Sequence, residues 1–152
     1  MKKILFSTFS VLCMVIALAS CSSKASNELI GKWEQDLLQQ GMNAHVTYDF
    51  EEGGKLSQTF EMTGDVPKVD IKGEGTCTYT YADNVITFTF SGADFNFSKF
   101  EMEGVPQELV DMSMQQVKSS MVDVEQKITD VKINGNTLTG TLNGMQITLK
   151  RI

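Results

Sequence analysis

The sequence predicts an all-β protein: an antiparallel up-and-down barrel of about eight strands with one α-helix inserted between late strands. Three observations carry that expectation. From Asn43 onward apolar and polar residues alternate with period two over most of the chain, the pattern of half-buried strands. Turn-forming clusters, among them Glu51-Glu52-Gly53-Gly54, Ala82-Asp83-Asn84 and Asn134-Gly135-Asn136, cut that alternation into short runs. One stretch alone, Val105 to about Gln126, contains no glycine and departs from period two. A meander of so many short strands most economically closes on itself, because closure removes the unpaired edges that lead to aggregation.

The N-terminus comes first. Lys2 and Lys3 precede an apolar run from Ile4 to Ala19 that stops at Cys21. A membrane-spanning helix needs ~20 apolar residues, and Ser7, Thr8 and Ser10 interrupt this run, so residues 1–20 read as an export signal that is removed. Leu18-Ala19-Ser20-Cys21 resembles the lipobox of bacterial lipoproteins. The resemblance implies that Cys21 is acylated and becomes the mature N-terminus, with two or more acyl chains holding it permanently in a membrane. Ser22 in place of an Asp after that Cys is similar to lipoproteins sorted to the outer membrane, and no acidic cluster of the kind linked to surface export follows it, which favours the periplasmic face. Residues 21–28 are then a short lipidated tether and 29–152 the barrel domain.

This reading revises the composition. The 152 residues carry 13 basic and 19 acidic side chains. Without the first twenty, two of them lysines, 132 remain and the formal charge moves from −6 to −8. That length suits a single domain, the charge disfavours nucleic acid, and the 41% hydrophobic content excludes a disordered chain. Cys13 departs with the signal and Cys21 takes lipid, which leaves Cys77 with no disulfide partner. Its alternation with Tyr79 and Tyr81 makes it a small core residue rather than a reactive thiol.

The strands follow in order. In Ala44 to Phe50 the even positions are apolar and the odd ones polar. Leu56, Phe60 and Met62 share a face of the next strand; Gly64, Asp65 and Pro67 break the pattern, and Gly73 and Gly75 lead into the alternation of Thr76 to Tyr81. Ile86, Phe88 and Phe90 face one side of the strand from Val85. Phe95 and Phe97 are in one phase and Phe100 and Met102 in the other, which predicts a bulge near Ser98 and Lys99 or a strand end there. Between Val105 and Gln126, Val110, Met114, Val117, Met121 and Val124 recur at heptad spacing, a helical stripe. Pro106 suits the first helical position, and Glu108 and Asp111 suit the positive end of the dipole. Ile128 extends the same stripe, although strand alternation restarts near Lys127. Lys127 to Ile133, Thr137 to Leu142 and Met145 to Ile152 complete the meander, the last two joined by Asn143-Gly144, a type I′ hairpin signal.

Leu29-Ile30-Gly31-Lys32-Trp33 at the start of the domain and Lys150-Arg151-Ile152 at its end resemble the lipocalin superfamily and its bacterial lipocalin-like lipoprotein relatives. The resemblance implies a lipocalin-like β-barrel in which Gly31 and Trp33 open the first strand and Arg151, the only arginine in the chain, covers the Trp33 ring at the barrel's narrow end. A guanidinium over an indole contributes about 0.5–2 kcal/mol.

Catalytic chemistry has little support. His45 is the single histidine and lies on the polar phase of its strand; no Gly-x-Ser-x-Gly elbow exists, and one His with one thiol cannot supply the usual three or four ligands of a transition metal. The expectation is a protein without enzymatic activity, cofactor or metal. Its role is expected to be binding of a small apolar or amphipathic ligand inside the barrel, with Val46, Tyr48, Phe60, Tyr79, Tyr81, Phe88 and Phe90 as wall residues and Met114 on a helical lid. The alternative is a barrel with a solid core, acting as a protein-interaction or inhibitor module on another envelope protein.

Overall fold

A computed structural model describes residues 27–39, 41–65 and 68–152; the export segment 1–20, the lipidation position Cys21 and Pro67 lie outside them. The chain builds β1 (Gly31–Gln39), β2 (Met42–Glu51), β3 (Lys55–Asp65), β4 (Lys68–Ala82), β5 (Val85–Phe88), β6 (Phe95–Met102), α1 (Gln107–Met121), β7 (Gln126–Asn134), β8 (Thr137–Leu142) and β9 (Met145–Arg151). Each strand pairs antiparallel with its neighbours, and β9 returns to β1.

Eight strands close the ring: β1, β2, β3, β4, β5, β7, β8 and β9. The ninth, β6, continues the line of β5. One edge of β4 pairs along its length with β3, while the other edge is shared, Tyr79–Ala82 with β5 and Val69–Gly75 with β6. The intervening turn is tied back to β4 by the Thr76 N–H donating to the Asp94 carbonyl at 3.1 Å. Thus β5 and β6 act as two halves of one long strand, and the molecule is an up-and-down lipocalin-like barrel with one helix inserted before its last three strands.

The closure is uneven. The ladder between β1 and β9 covers Trp33↔Arg151 and Glu34↔Lys150, and the Ile152 N–H donates to the Lys32 carbonyl at 3.1 Å; beyond Glu34, β1 leaves the β9 ladder. Near this seam Trp33, Phe50, Leu56, Ile86, Leu138 and Leu149 are fully buried and make the closed end solid. At the other end β1–β4 overrun the shorter β8–β9 hairpin, and the barrel opens into a mouth. The hairpin turn matches its sequence signal, with Asn143 and Gly144 both at positive φ.

The phase change in β6 is a bulge. Lys72 pairs with Lys99 and Gly73 with Phe97, which leaves Ser98 unmatched. The extra residue lets Phe97 and Phe100 both pack on the core, their rings 5.3 Å apart and nearly perpendicular. A second irregularity, between Thr129 and Lys132 of β7, places both Ile128 and Val131 inside.

Three expectations need revision. First, β3 runs to Asp65 and β4 begins at Lys68, so the glycine-containing stretch before Thr76 is strand. A Cβ on Gly73 would lie 2.4 Å from Phe60 Cε1; the glycine makes room for a ring. Second, Pro106 precedes the helix as its cap, its carbonyl accepting from the Leu109 and Val110 N–H groups at 3.0 and 3.1 Å. Third, α1 ends at Met121. Val122 is extended and bridges to Phe90, Asp123 has φ 58°, and Val124 is exposed; Ile128 belongs to β7. The contacts of α1 with the sheet concentrate on β6, so the helix runs back beside the strand edge that has no sheet partner.

Candidate functional site

The closed end is fixed by the two chain termini of the barrel. The Arg151 guanidinium carbon sits 4.2 Å from the Trp33 ring centroid. One arm of the fork donates to the Ile30 carbonyl at 2.7 Å and the other to the Glu28 carbonyl. Trp33 Nε1–H in turn donates to the Leu29 carbonyl at 2.7 Å. Gly31 has φ 125°, and a Cβ there would stand 2.8 Å from Arg151 Nη1. Gly31, Trp33 and Arg151 therefore form one device: the glycine lets the backbone pass under the guanidinium, which covers the indole and ties the entering strand to the last one.

The mouth holds a cavity of about 340 Å³. Phe88, Phe90, Met121 and Leu142 supply its apolar lining; Tyr48, Gln58, Ser120, Gln126 and Asn143 supply polar groups, and none of its lining residues is charged. The inward phases of β2, β3 and β5 aim Tyr48, Gln58 and Phe88 here, and the last turn of α1 adds Ser120 and Met121. Tyr48 and Gln58 stand directly opposite each other across β2 and β3. Gln58 is 8% exposed and is the one buried polar residue of the described core. Burial pushes the Tyr48 phenol up to about 12, so it stays a neutral donor at any physiological pH.

The rim is already satisfied. Asn143 Nδ2–H donates to Gln126 Oε1 at 2.9 Å, and the Ser120 hydroxyl donates to the Val117 carbonyl at 2.7 Å. Among the described residues, no side-chain hydrogen bond engages Tyr48 or Gln58.

Of the eight wall and lid residues expected from sequence, Tyr48, Phe88 and Phe90 line this cavity. Tyr79 and Tyr81 line a different one, about 310 Å³, beside Ile30 and Gly53-Gly54 at the closed end. There the Tyr79 hydroxyl donates to the Glu51 carbonyl at 3.4 Å. Phe60 is core filling, packed against Phe95 and Phe97. Val46 packs against the core from a half-buried position, and Met114 is half-buried on α1 without reaching the mouth. Sequence reasoning missed Gln58, whose even phase between Leu56 and Phe60 points inward, and Met121 and Leu142, which reach the mouth from element ends.

A larger groove, about 470 Å³, lies between α1 and the charged outer residues of β4 and β6. Its charges neutralise one another: Lys99 Nζ is 2.5 Å from Asp70 Oδ2 and 3.3 Å from Glu101 Oε2, and Lys68 is 3.1 Å from Glu103. The lysine beside Asp70 holds that carboxyl below its ordinary range.

Two groups bear on catalysis. His45 Nδ1 lies 2.7 Å from Asp36 Oδ1, and its Nε2 lies 3.4 Å from Thr47 Oγ1. The order is that of a hydrolase triad, but these groups sit on the outer face of β1 and β2, where the ladders with β1 and β3 occupy the β2 backbone donors that an oxyanion would need. Cys77 points inward from β4, half-buried, and desolvation pushes its thiol up to about 11, which suppresses the nucleophilic thiolate.

No protein-family model matches this chain, and no curated protein matches it. The class therefore rests on structure: an eight-stranded antiparallel barrel with a helix inserted before its last three strands, lipocalin-like in architecture, closed at the Trp33–Arg151 seam and with a cavity at the mouth.

Proposed function

We propose that this protein is a lipid-anchored component of the cell envelope, held through Cys21 at the outer membrane and facing the periplasm, that binds a small apolar or amphipathic ligand in the barrel mouth and performs no catalysis. The observation that carries the ligand reading is the mouth cavity. It has an aromatic and aliphatic lining, a buried polar pair, no charged residue, and a volume at the lower end of the ~300–1,000 Å³ typical of small-molecule sites. The anchor reading rests on the Leu18-Ala19-Ser20-Cys21 sequence.

The test uses the soluble form beginning at Ser22, which contains every described residue and so the whole closed barrel. Native mass spectrometry is expected to show a copurified small molecule at one per chain, and the neutral dye N-phenyl-1-naphthylamine is expected to bind. Met121→Trp, which fills the mouth, is expected to abolish both. Absence of adduct and dye binding in the parent protein sinks the ligand reading. For the anchor, the full chain is expected in the membrane fraction with acyl groups on Cys21, and a Cys21→Ser chain found there in equal amount counts against it.

A second reading, an interaction module for another envelope protein, is favoured by the solid closed end and by Leu109 and Met112, exposed on α1. Crosslinking in cells through Met112 would then capture one defined partner.

A further inference from the structure

We infer that the mouth cavity selects uncharged amphiphiles, those ending in an amide, alcohol or ester, and rejects carboxylates and other ionic headgroups. The inference rests on the ligand-binding reading above and specifies its ligand class. Tyr48 and Gln58 face each other across β2 and β3 and both line the cavity. Each exposes less than a tenth of its surface, and no described hydrogen bond takes up either side chain.

Neither side chain is sealed off without a partner, since Asp70 Oδ1 is the one such buried side-chain atom among the described residues; both border the open cavity, where water or a ligand headgroup can pair with them. The phenol donates, and the carboxamide both donates and accepts. Together they match a neutral headgroup that has an oxygen acceptor and, for an amide or alcohol, a donor.

Charge is excluded by what surrounds them. No Lys, Arg, Asp or Glu lines the cavity, and Arg151 is committed at the closed end to Trp33, Ile30 and Glu28. A carboxylate entering the mouth would lose water and gain no countercharge, the arrangement that penalises a buried ion most. Burial raises the Tyr48 phenol, and the same loss of water disfavours the charged form of an acid placed beside it. Phe88, Phe90, Met121 and Leu142 then receive a short alkyl or aryl tail.

The experiment compares equal-length probes, octanamide, octan-1-ol and octanoate, by displacement of N-phenyl-1-naphthylamine from the Ser22 form at pH 7.5. The amide and alcohol are expected to bind at least about tenfold more tightly than octanoate, a difference of about 1.4 kcal/mol. Gln58→Leu, nearly isosteric and apolar, is expected to cost octanamide about tenfold and to leave the dye's own affinity within about twofold. Octanoate binding as tightly as octanamide overturns the selectivity while leaving mouth binding intact. Failure of the dye and every probe to bind overturns both. Unchanged octanamide affinity in Gln58→Leu removes the Tyr48–Gln58 pair as its cause. The headgroup comparison in the parent protein stands even where that variant fails to fold.

Discussion

Replacing Arg151 with Ala tests whether the first and last strands of the barrel are held together by one side chain. The substitution removes a guanidinium 4.2 Å from the Trp33 centroid and its bonds to the Ile30 and Glu28 carbonyls. The cation–π contact contributes about 0.5–2 kcal/mol. Each charge-assisted bond contributes up to ~1.5–3 kcal/mol, less where water replaces the donor at this partly exposed site. The expected loss is therefore about 2–4 kcal/mol. For a domain of this size, at ~3–5 °C per kcal/mol, Tm should fall by about 6–20 °C in a thermal melt followed by circular dichroism.

Arg151→Lys sharpens the test, because an ammonium keeps the charge over the ring but cannot span two carbonyls as a fork does; it should recover less than half of the loss. Gly31 provides a cycle. Alone, Gly31→Ala meets both the guanidinium and a strained φ of 125°. In the Arg151→Ala background the collision disappears and the backbone strain of ~1–3 kcal/mol remains, so the two changes should be less than additive. A Tm shift below about 2 °C for Arg151→Ala would refute the closure argument.

The other predictions concern the core and its titrating groups. Gly73→Ala puts a methyl 2.4 Å from Phe60 Cε1 and should cost about 1–3 kcal/mol by urea denaturation, partly restored by adding Phe60→Leu; full stability of the single variant would contradict the packing. The folded-state Tyr48 pKa of about 12 lies above its ordinary value of 10. Its contribution is fully present below pH 10 and is lost between pH 10 and 12, as the unfolded chain ionises and the folded one does not. Relative to Tyr48→Phe, the parent should lose up to ~2–3 kcal/mol across that window, whereas parallel pH profiles would deny the burial. Cys77, with its thiol pushed up to about 11, should alkylate at a rate that still climbs tenfold per pH unit at pH 9 to 10; a plateau near pH 8.5 would show an ordinary exposed thiol.

Much of the fold could be read from period two. The inward phases of β2, β4 and β5 are the apolar phases of Ala44–Phe50, Cys77–Tyr81 and Ile86–Phe90. The phase conflict between Phe97 and Phe100 left a bulge near Ser98 and Lys99 or a strand end open, and the ladder has the bulge, an inserted residue that keeps both rings inside. The resemblance carried by Gly31, Trp33 and Arg151 pointed to a contact between residues at opposite ends of the domain, which no local pattern reveals.

What escaped had physical causes. In sequence Gly73 stands ahead of the alternation from Thr76, yet it already lies within β4, where it leaves room for Phe60. The end of α1 was obscured because Val124 and Ile128 continue its apolar spacing, while Val122 pairs with Phe90 across the fold. The mouth was only half legible. Tyr48, Phe88 and Phe90 are inward aromatics, whereas Gln58 announces itself only once its burial is known, and Met121 and Leu142 reach the cavity from element ends that alternation does not orient.

The most direct test of the central claim is a two-dimensional NMR titration of the Ser22 form with octanamide. Saturable shifts confined to Tyr48, Gln58, Phe88, Met121 and Leu142, with Trp33 unmoved, are the predicted result. Shifts centred on the closed-end tyrosines or on the outer face of α1, or no saturable shift at all, would contradict a ligand site in the mouth.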